Sequence, residues 1–354
     1  METLHVTASR NYDILIGRDL LKDAGALLAE TGALNTAVVV SDDNVFPLYG
    51  ETVVKSLERA GARALSFVFE HGEHSKNLRT YAELMEFLCA QRAGRNDLLV
   101  ALGGGVVGDL TGFAAATYQR GMRYAQIPTT LLAAVDSSIG GKTAVDLQGG
   151  KNQAGCFYQP VRVICDEDTL NTLPAEEMRC GMAEVIKYGV IGDRALFDCV
   201  KESGLSAPMG YVIKTCAAMK RDIVARDEFD RGERMLLNLG HTFGHAAEKC
   251  SGYSILHGQA VAMGLAAITR AAVKKGYCDE KTLEDTLETL KICGLPTEIT
   301  YPLDDMAAAA LSDKKATGKG VRLIVPEKIG QCAIVEVSAD GVKDWMRAGG
   351  IGHD

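Results

Sequence analysis

Leu98-Leu99-Val100-Ala101-Leu102 runs without a break into Gly103-Gly104-Gly105-Val106-Val107-Gly108-Asp109. An uninterrupted apolar run of this length reads as a strand buried on both faces, and the glycine cluster reads as a tight turn into a helix. The segment contains G-x-G-x-x-G, the spacing at which backbone N–H groups at a helix start can approach a pyrophosphate. Two features depart from the usual dinucleotide fingerprint. The segment does not belong to the first strand, and Thr129 or Thr130 stands where an acid is usual about 20 residues on. Alone, the spacing describes a ligand-free strand–helix turn just as well.

Outward from this point the first half alternates strands with helices. Leu4–Ala8 and Tyr12–Gly17 alternate with period two and predict a starting strand pair. Further strands are predicted at Ala37–Val40, Leu65–Phe69, Tyr124–Ile127 and Val161–Cys165, with amphipathic helices between them. This order predicts a Rossmann-like α/β domain with a mostly parallel sheet over residues 1–174. After Thr172-Leu173-Pro174 the good helix formers Ala, Leu, Glu, Lys and Met take over, predicting a mostly α-helical second domain over 175–354. Within it, Leu283, Leu287 and Leu290 form one helical stripe, His257–Gly276 reads as a long buried helix, and Val321–Val325 and Ala333–Val337 read as a late strand pair.

Composition sets the outer limits. The 354 residues exceed the roughly 250–300 at which a single core stops growing, so two domains are expected. An apolar fraction of 47% excludes a disordered chain, and a net charge of −8 argues against a nucleic-acid partner. It does not exclude an anionic small ligand, because screening makes local lysines decisive. The ten cysteines are scattered singly with no C-x-x-C, as expected of reduced thiols. Neither a signal peptide nor a membrane-spanning run is read, so a soluble, cytoplasmic protein is expected.

The polar residues fall into three groups. Asp42, at the end of a predicted strand, is placed to bond a ribose hydroxyl, and His71–Lys76 offers a further turn for an adenosine. His241 and His245, spaced i,i+4, would share a helix face and could chelate a metal with Glu184 as a third ligand; His257 lies close by. Spacing does not choose which two histidines bind, and Glu184 could instead simply pair with Lys187 one turn on. The basic residues form the last group. Lys142 follows Asp136-Ser137-Ser138-Ile139-Gly140-Gly141, and Lys151 and Asn152 follow Gly149-Gly150, on stretches that read as turn-like loops. With Arg120, Lys220, Arg234 and Asn238, they suit a phosphate or carboxylate ligand.

Taken together, these stretches resemble the 3-dehydroquinate synthase family over essentially the whole chain. The resemblance runs through Gly103–Asp109, Arg120-Gly121, Ile127–Ala133, Asp136–Lys142, Gly150-Lys151-Asn152, Ala183–Gly189, Asn238–Ala246 and His257-Gly258. It implies a Rossmann-like domain followed by an all-helical one, bound NAD, one divalent metal (zinc or cobalt) and a homodimer. It implies Glu184, His241 and His257 as metal ligands, which moves His245 from ligand to proton handling. Asp42, Glu73, Lys76, Gly105, Val106, Val107, Gly108, Asp109, Thr129, Thr130, Thr169, Thr172 and Leu173 resemble the NAD contacts, with Lys142 and Lys151 near them. Arg120, Asp136, Lys142, Lys151, Asn152, Lys187, Lys220, Arg234 and Asn238 resemble the substrate-side set. Either Lys314 or Lys315 is expected to join it. The implied substrate is a sugar phosphate, 3-deoxy-D-arabino-heptulosonate 7-phosphate, converted to 3-dehydroquinate and phosphate on the shikimate route to aromatic amino acids. Three rival readings are a metal- and NAD-dependent polyol dehydrogenase, which needs no paired lysines for a phosphate, a sibling sugar-phosphate cyclase, and a non-catalytic nucleotide-binding or scaffolding protein, which predicts decay of Glu184, His241 or Lys151, all of them present.

Overall fold

The structure, a computed structural model, describes residues 1–311 and 320–352. The chain folds into two compact units, Met1–Leu173 with Ile213–Phe229, and Pro174–Val212 with Asp230–Asp354.

The first unit is built on seven strands: β1 (Glu2–Val6), β2 (Tyr12–Gly17), β3 (Thr36–Asp42), β4 (Arg63–Phe69), β5 (Leu98–Gly103), β6 (Arg123–Pro128) and β9 (Arg162–Asp166). Their order is β1-β2-β9-β6-β5-β3-β4, and only the β1–β2 pair is antiparallel. Helices α1 (Ala24–Ala29), α2 (Glu51–Arg59), α3 (Leu78–Ala90) and α4 (Gly105–Thr117) connect them. The central strands are apolar without alternation because both faces are covered. Ala37, Val39, Leu98 and Val100 pack into one core cluster, while Val38, Val40, Leu99 and Ala101 pack into another. The chain runs from β3 outward to β4 and then returns to the other side of β3 for β5, so the strand order reverses between β3 and β5.

Two elements differ from the sequence reading. Lys142 and Gly150–Asn152, which fall in stretches read as turn-like loops, belong to a hairpin of β7 (Lys142–Leu147) and β8 (Gly150–Phe157), paired from Lys142↔Phe157 to Leu147↔Gly150. Lys142, Lys151 and Asn152 therefore sit on strands. A turn at Gln148-Gly149 closes the hairpin, while the polar and small residues of β8 mask its strand character. The second difference is Ile213–Phe229. It belongs to the first unit although it continues the helix α7 (Met209–Arg226), so a single cut near residue 175 does not separate the two units.

The second unit contains α5 (Ala175–Gly192), α6 (Arg194–Ser203), α8 (His241–Cys250), α9 (His257–Lys274), α10 (Glu280–Ile292), α11 (Leu303–Leu311) and α12 (Ala339–Ala348). It is not all-helical, since β10 (Val321–Lys328) and β11 (Gln331–Val337) pair as an antiparallel ribbon. α5 is buried from Cys180 to Ile191 and α9 along nearly its whole length, which makes these two the core helices. Helix ends follow local chemistry: Asp279 caps α10 through Thr282 N–H at 2.8 Å, and Gly294, at φ 69°, lies just beyond it. Among the described residues no helix is long and apolar enough to cross a membrane.

Asp285 on α10 is buried and bound by Lys201 Nζ at 2.5 Å and Lys281 Nζ at 2.9 Å. Burial pushes this carboxyl up, but the lysine hydrogen bonds outweigh it and hold the group below its ordinary range. Its contribution is therefore present above the unfolded carboxyl pKa of about 3.9 and is lost as pH falls through the lower folded value. Asp285→Asn is expected to cost about 2 kcal/mol in urea unfolding at neutral pH. The difference from wild type should shrink only below about pH 4.

Candidate functional site

Each unit carries a cluster of polar groups. In the first unit the parallel strands bring their C-terminal ends to one edge of the sheet. Asp42 ends β3, the glycine turn ends β5, Thr129 and Thr130 follow β6, and Thr169, Thr172 and Leu173 follow β9. The reversal between β3 and β5 places Asp42 and Gly103–Gly105 at the position where open α/β sheets form a ligand crevice. α4 begins here with Gly104 as its cap residue and no side-chain cap. A Cβ on Gly103 would lie 2.5 Å from Val107, and one on Gly108 would lie 2.5 Å from Gln126 Oε1. The glycines therefore let the helix start lie against the sheet while its N–H groups face outward. Thr129 Oγ1 is buried and, among the described residues, has no hydrogen-bond partner. An orphaned hydroxyl beside an uncapped helix start fits a nucleotide phosphate. Asp42 Oδ1 accepts from the backbone N–H groups of Asn44 and Val45, and burial raises its pKa.

Beside this edge Lys76 is buried, with its Nζ 2.6 Å from Asp109 Oδ2, 2.5 Å from Asn152 Oδ1 and 3.8 Å from Glu73 Oε1. Burial works against its charge, but Asp109 and Glu73 more than compensate, so Lys76 stays an ammonium. Asp146, which the sequence reading missed, accepts the Asn152 N–H at 2.7 Å and holds that residue at φ 57°, a left-handed conformation asparagine tolerates. Lys151 Nζ lies 3.9 Å from Glu73 Oε1. Lys220, buried on α7, donates to Asp136 O at 2.6 Å and Oδ1 at 2.9 Å. Arg120 and Lys142 are exposed.

In the second unit three helices converge. α5 carries Glu184 and Lys187, α8 carries His241 and His245, and α9 begins at His257. They approach at glycines. A Cβ on Gly264 of α9 would fall 2.0 Å from Gly240 O, one on Gly244 of α8 2.7 Å from Ala260 O, and one on Gly258 2.2 Å from Cys180 Cα. The three imidazoles each offer a nitrogen within 4.8 Å of the others. Glu184 Oε1 lies 3.7 Å from His241 Nε2 and 3.3 Å from His257 Nε2, while Oε2 is 2.5 Å from Lys187 Nζ. The pairing of Glu184 with Lys187 thus exists alongside its approach to two histidines. His245 is exposed, and its carboxylate neighbour is Glu248, at 3.9 Å. Burial carries His241 down to about 3. For His257 burial acts the same way but is outweighed by hydrogen bonds to Glu184 and Glu248, which carry it up to about 10. One carboxylate and two imidazole Nε2 atoms is the donor set of catalytic zinc sites, which leave a fourth position to substrate. Arg234 is buried and Asn238 exposed on the turn Glu233–Asn238 that precedes α8. Lys314 and Lys315 lie outside the described residues.

The family models described as 3-dehydroquinate synthase N-terminal and C-terminal match residues 66–180 and 181–316. The chain belongs to the 3-dehydroquinate synthase family. It is 42% identical over 343 residues to a 3-dehydroquinate synthase of Streptococcus suis, covering 95% of this chain and 97% of that one. Among solved structures, a 2-deoxy-scyllo-inosose synthase complexed with carbaglucose-6-phosphate, NAD+ and Co2+ superposes with a TM-score of 0.87 at 24% identity, over 98% of this chain and 99% of that one. A 2-epi-5-epi-valiolone synthase from Streptomyces hygroscopicus with NAD+ and Zn2+ bound gives 0.87 at 27%, with the same coverage. The identity is much higher to the dehydroquinate synthase than to these sibling cyclases, which separates the two readings left open by the shared fold.

The close approaches at glycine set a direct test of the histidine cluster. Gly258→Ala places a methyl inside the α5 backbone, and since backbone cannot rotate away, the helices must separate. A loss of about 3 kcal/mol in denaturant unfolding is expected. Zinc affinity, measured by chelator competition, should fall with it.

Proposed function

We propose that this chain works as a 3-dehydroquinate synthase, a phosphate-eliminating lyase and cyclase acting on 3-deoxy-D-arabino-heptulosonate 7-phosphate. The observation that carries the reading is the convergence of Glu184, His241 and His257 in a chain that also has an uncapped glycine-rich helix start at its strand reversal. When bound, NAD would supply reversible hydride transfer, and a divalent metal, zinc or cobalt, would supply Lewis acidity toward substrate hydroxyls.

The protein's own groups divide the remaining work. Glu184, His241 and His257 would hold the metal. The N–H groups at the start of α4 and the Thr129 hydroxyl would bind the dinucleotide phosphates, with Asp42 on a ribose hydroxyl. Glu73, Lys76, Asp109, Thr130, Thr169, Thr172 and Leu173 complete that set. On the substrate side, the resemblance assigns Lys151, Asn152 and Lys187, with help from Arg120, to the phosphate. Lys142, Arg234 and Asn238 serve the carboxylate and hydroxyls, and Asp136 holds the Lys220 ammonium in place. His245, exposed at the edge of the imidazole cluster, would hold or move a proton at the substrate oxygen, a role typically worth about 10²–10⁴-fold. The departing phosphate can accept the proton of the elimination step, so no separate base is assigned there. The same reading takes the protein as a cytoplasmic homodimer, which sedimentation would check.

The deciding experiment incubates the heptulosonate phosphate with the protein, catalytic NAD and zinc, and follows inorganic phosphate. Phosphate should accumulate with no net rise in NADH absorbance, whereas a polyol dehydrogenase would build up NADH. Lys151→Ala is expected to lower turnover by at least about 10²-fold while NAD still binds by fluorescence titration. Full activity in that variant refutes the phosphate-clamp assignment.

A further inference from the structure

Glu248 has no place in the assignments above. It lies on α8 and is 2% exposed, a costly position for a carboxylate that is not paired and hydrogen-bonded. Two imidazoles face it. Its Oε1 is 3.4 Å from His257 Nδ1, and its Oε2 is 3.9 Å from His245 Nε2. The other nitrogen of His257 faces Glu184 Oε1 at 3.3 Å, so this ring stands between two carboxylates, one at each nitrogen. His241 has the same arrangement with a backbone acceptor. Its Nδ1 is 3.0 Å from Leu239 O, and its Nε2 is 3.7 Å from Glu184 Oε1.

A metal-binding imidazole is neutral, so a cation at Nε2 takes the place of the proton there, and donation from Nδ1 leaves the lone pair on Nε2. Both rings that reach Glu184 are thus anchored at Nδ1 and turned toward it by Nε2. His245 differs, because the nitrogen it turns to a carboxylate is Nε2, and that carboxylate is Glu248.

We infer that Glu248 is the positioning residue of the metal site: it fixes His257 as the Nδ1–H tautomer and presents the Nε2 lone pair to the cation. The inference rests on the assignment of Glu184, His241 and His257 as ligands. A carboxylate at the outer nitrogen also makes the imidazole a more basic ligand, and loss of such a partner typically costs 10–100-fold in metal affinity.

The test measures Zn2+ affinity of the full chain by competition with a chromogenic chelator, for wild type, Glu248→Ala, Glu248→Gln and His257→Ala. Circular dichroism checks the fold of each. Glu248→Ala is expected to bind zinc roughly 10–100-fold more weakly. Glu248→Gln, whose amide oxygen still accepts from Nδ1–H, should show a smaller, several-fold loss. Affinities of both variants within about twofold of wild type overturn the inference. If Glu248→Ala does not fold, the glutamine variant decides on the same criterion. His257→Ala separates the two levels. If it binds zinc as wild type does, the ligand assignment fails and takes the inference with it. If it loses zinc while the Glu248 variants do not, the role of Glu248 alone is refuted.

Discussion

Close backbone approach among α5, α8 and α9 is the constraint on which the second unit's chemistry depends. Imidazole and carboxylate side chains are short, and helices held apart by ordinary side chains pack 8–10 Å between axes. Four glycines remove that spacing at the points where the helices cross: Gly240 and Gly244 on the α8 side, Gly258 and Gly264 on α9. Gly240 also sits at φ 78°, so it turns the chain into α8 as well as admitting α9. The neighbours that a Cβ would meet at these positions are mostly backbone atoms, which cannot yield by changing rotamer. The histidines meet because the helices carrying them have no side chains at the crossing.

The first unit uses the same device for a different end. Gly103 and Gly108 let α4 start directly against β5 and β6, so the helix N–H groups emerge at the strand edge rather than a side chain's length above it. Parallel pairing then does the rest. Every strand from β3 to β9 in that sheet ends on the same side, so residues far apart in sequence share one edge without any special contact between them. The hairpin β7–β8 adds the lysine network: the Asp146 N–H donates to Lys76 O at 2.7 Å, tying the hairpin to the turn that carries Glu73 and Lys76. A chain of net charge −8 can thus present a concentrated basic group locally, with acidic neighbours keeping the buried ammonium charged.

Legibility in the sequence follows from where each signal is stored. The β5 strand, its glycine turn and the buried helices are readable because burial and close approach leave apolar runs and glycines in the chain itself. The β7–β8 hairpin is not, because β8 reads Gly-Lys-Asn-Gln-Ala-Gly-Cys-Phe and owes its strand form to its partner rather than to its own residues. The return of Ile213–Phe229 to the first unit is hidden within one unbroken helix. The histidine choice shows the limit most clearly. Spacing i,i+4 correctly places His241 and His245 on one helix, but it cannot show that Glu184 reaches His241 and His257. Glu248 is invisible for the same reason: a glutamate three residues after a histidine on an amphipathic helix reads as surface, and its burial comes from the packing of other helices against α8.

Two buried ion pairs in the second unit have the same chemistry and different meanings. Asp285 is gripped by Lys201 and Lys281, whose ammonium groups remain partly open to solvent, and the two lysines account for its charge. Glu184 and Lys187 are each 1% exposed, with a second carboxylate and two imidazoles in the same pocket of charge. A pair this deep contributes little that apolar residues of equal volume would not supply. Stability therefore accounts for Asp285 but not for Glu184, whose oxygens are shared among a lysine and two histidine nitrogens. Folding alone would favour leucines in such a cluster, and the proposed cation and phosphate sites are what give it a physical reason.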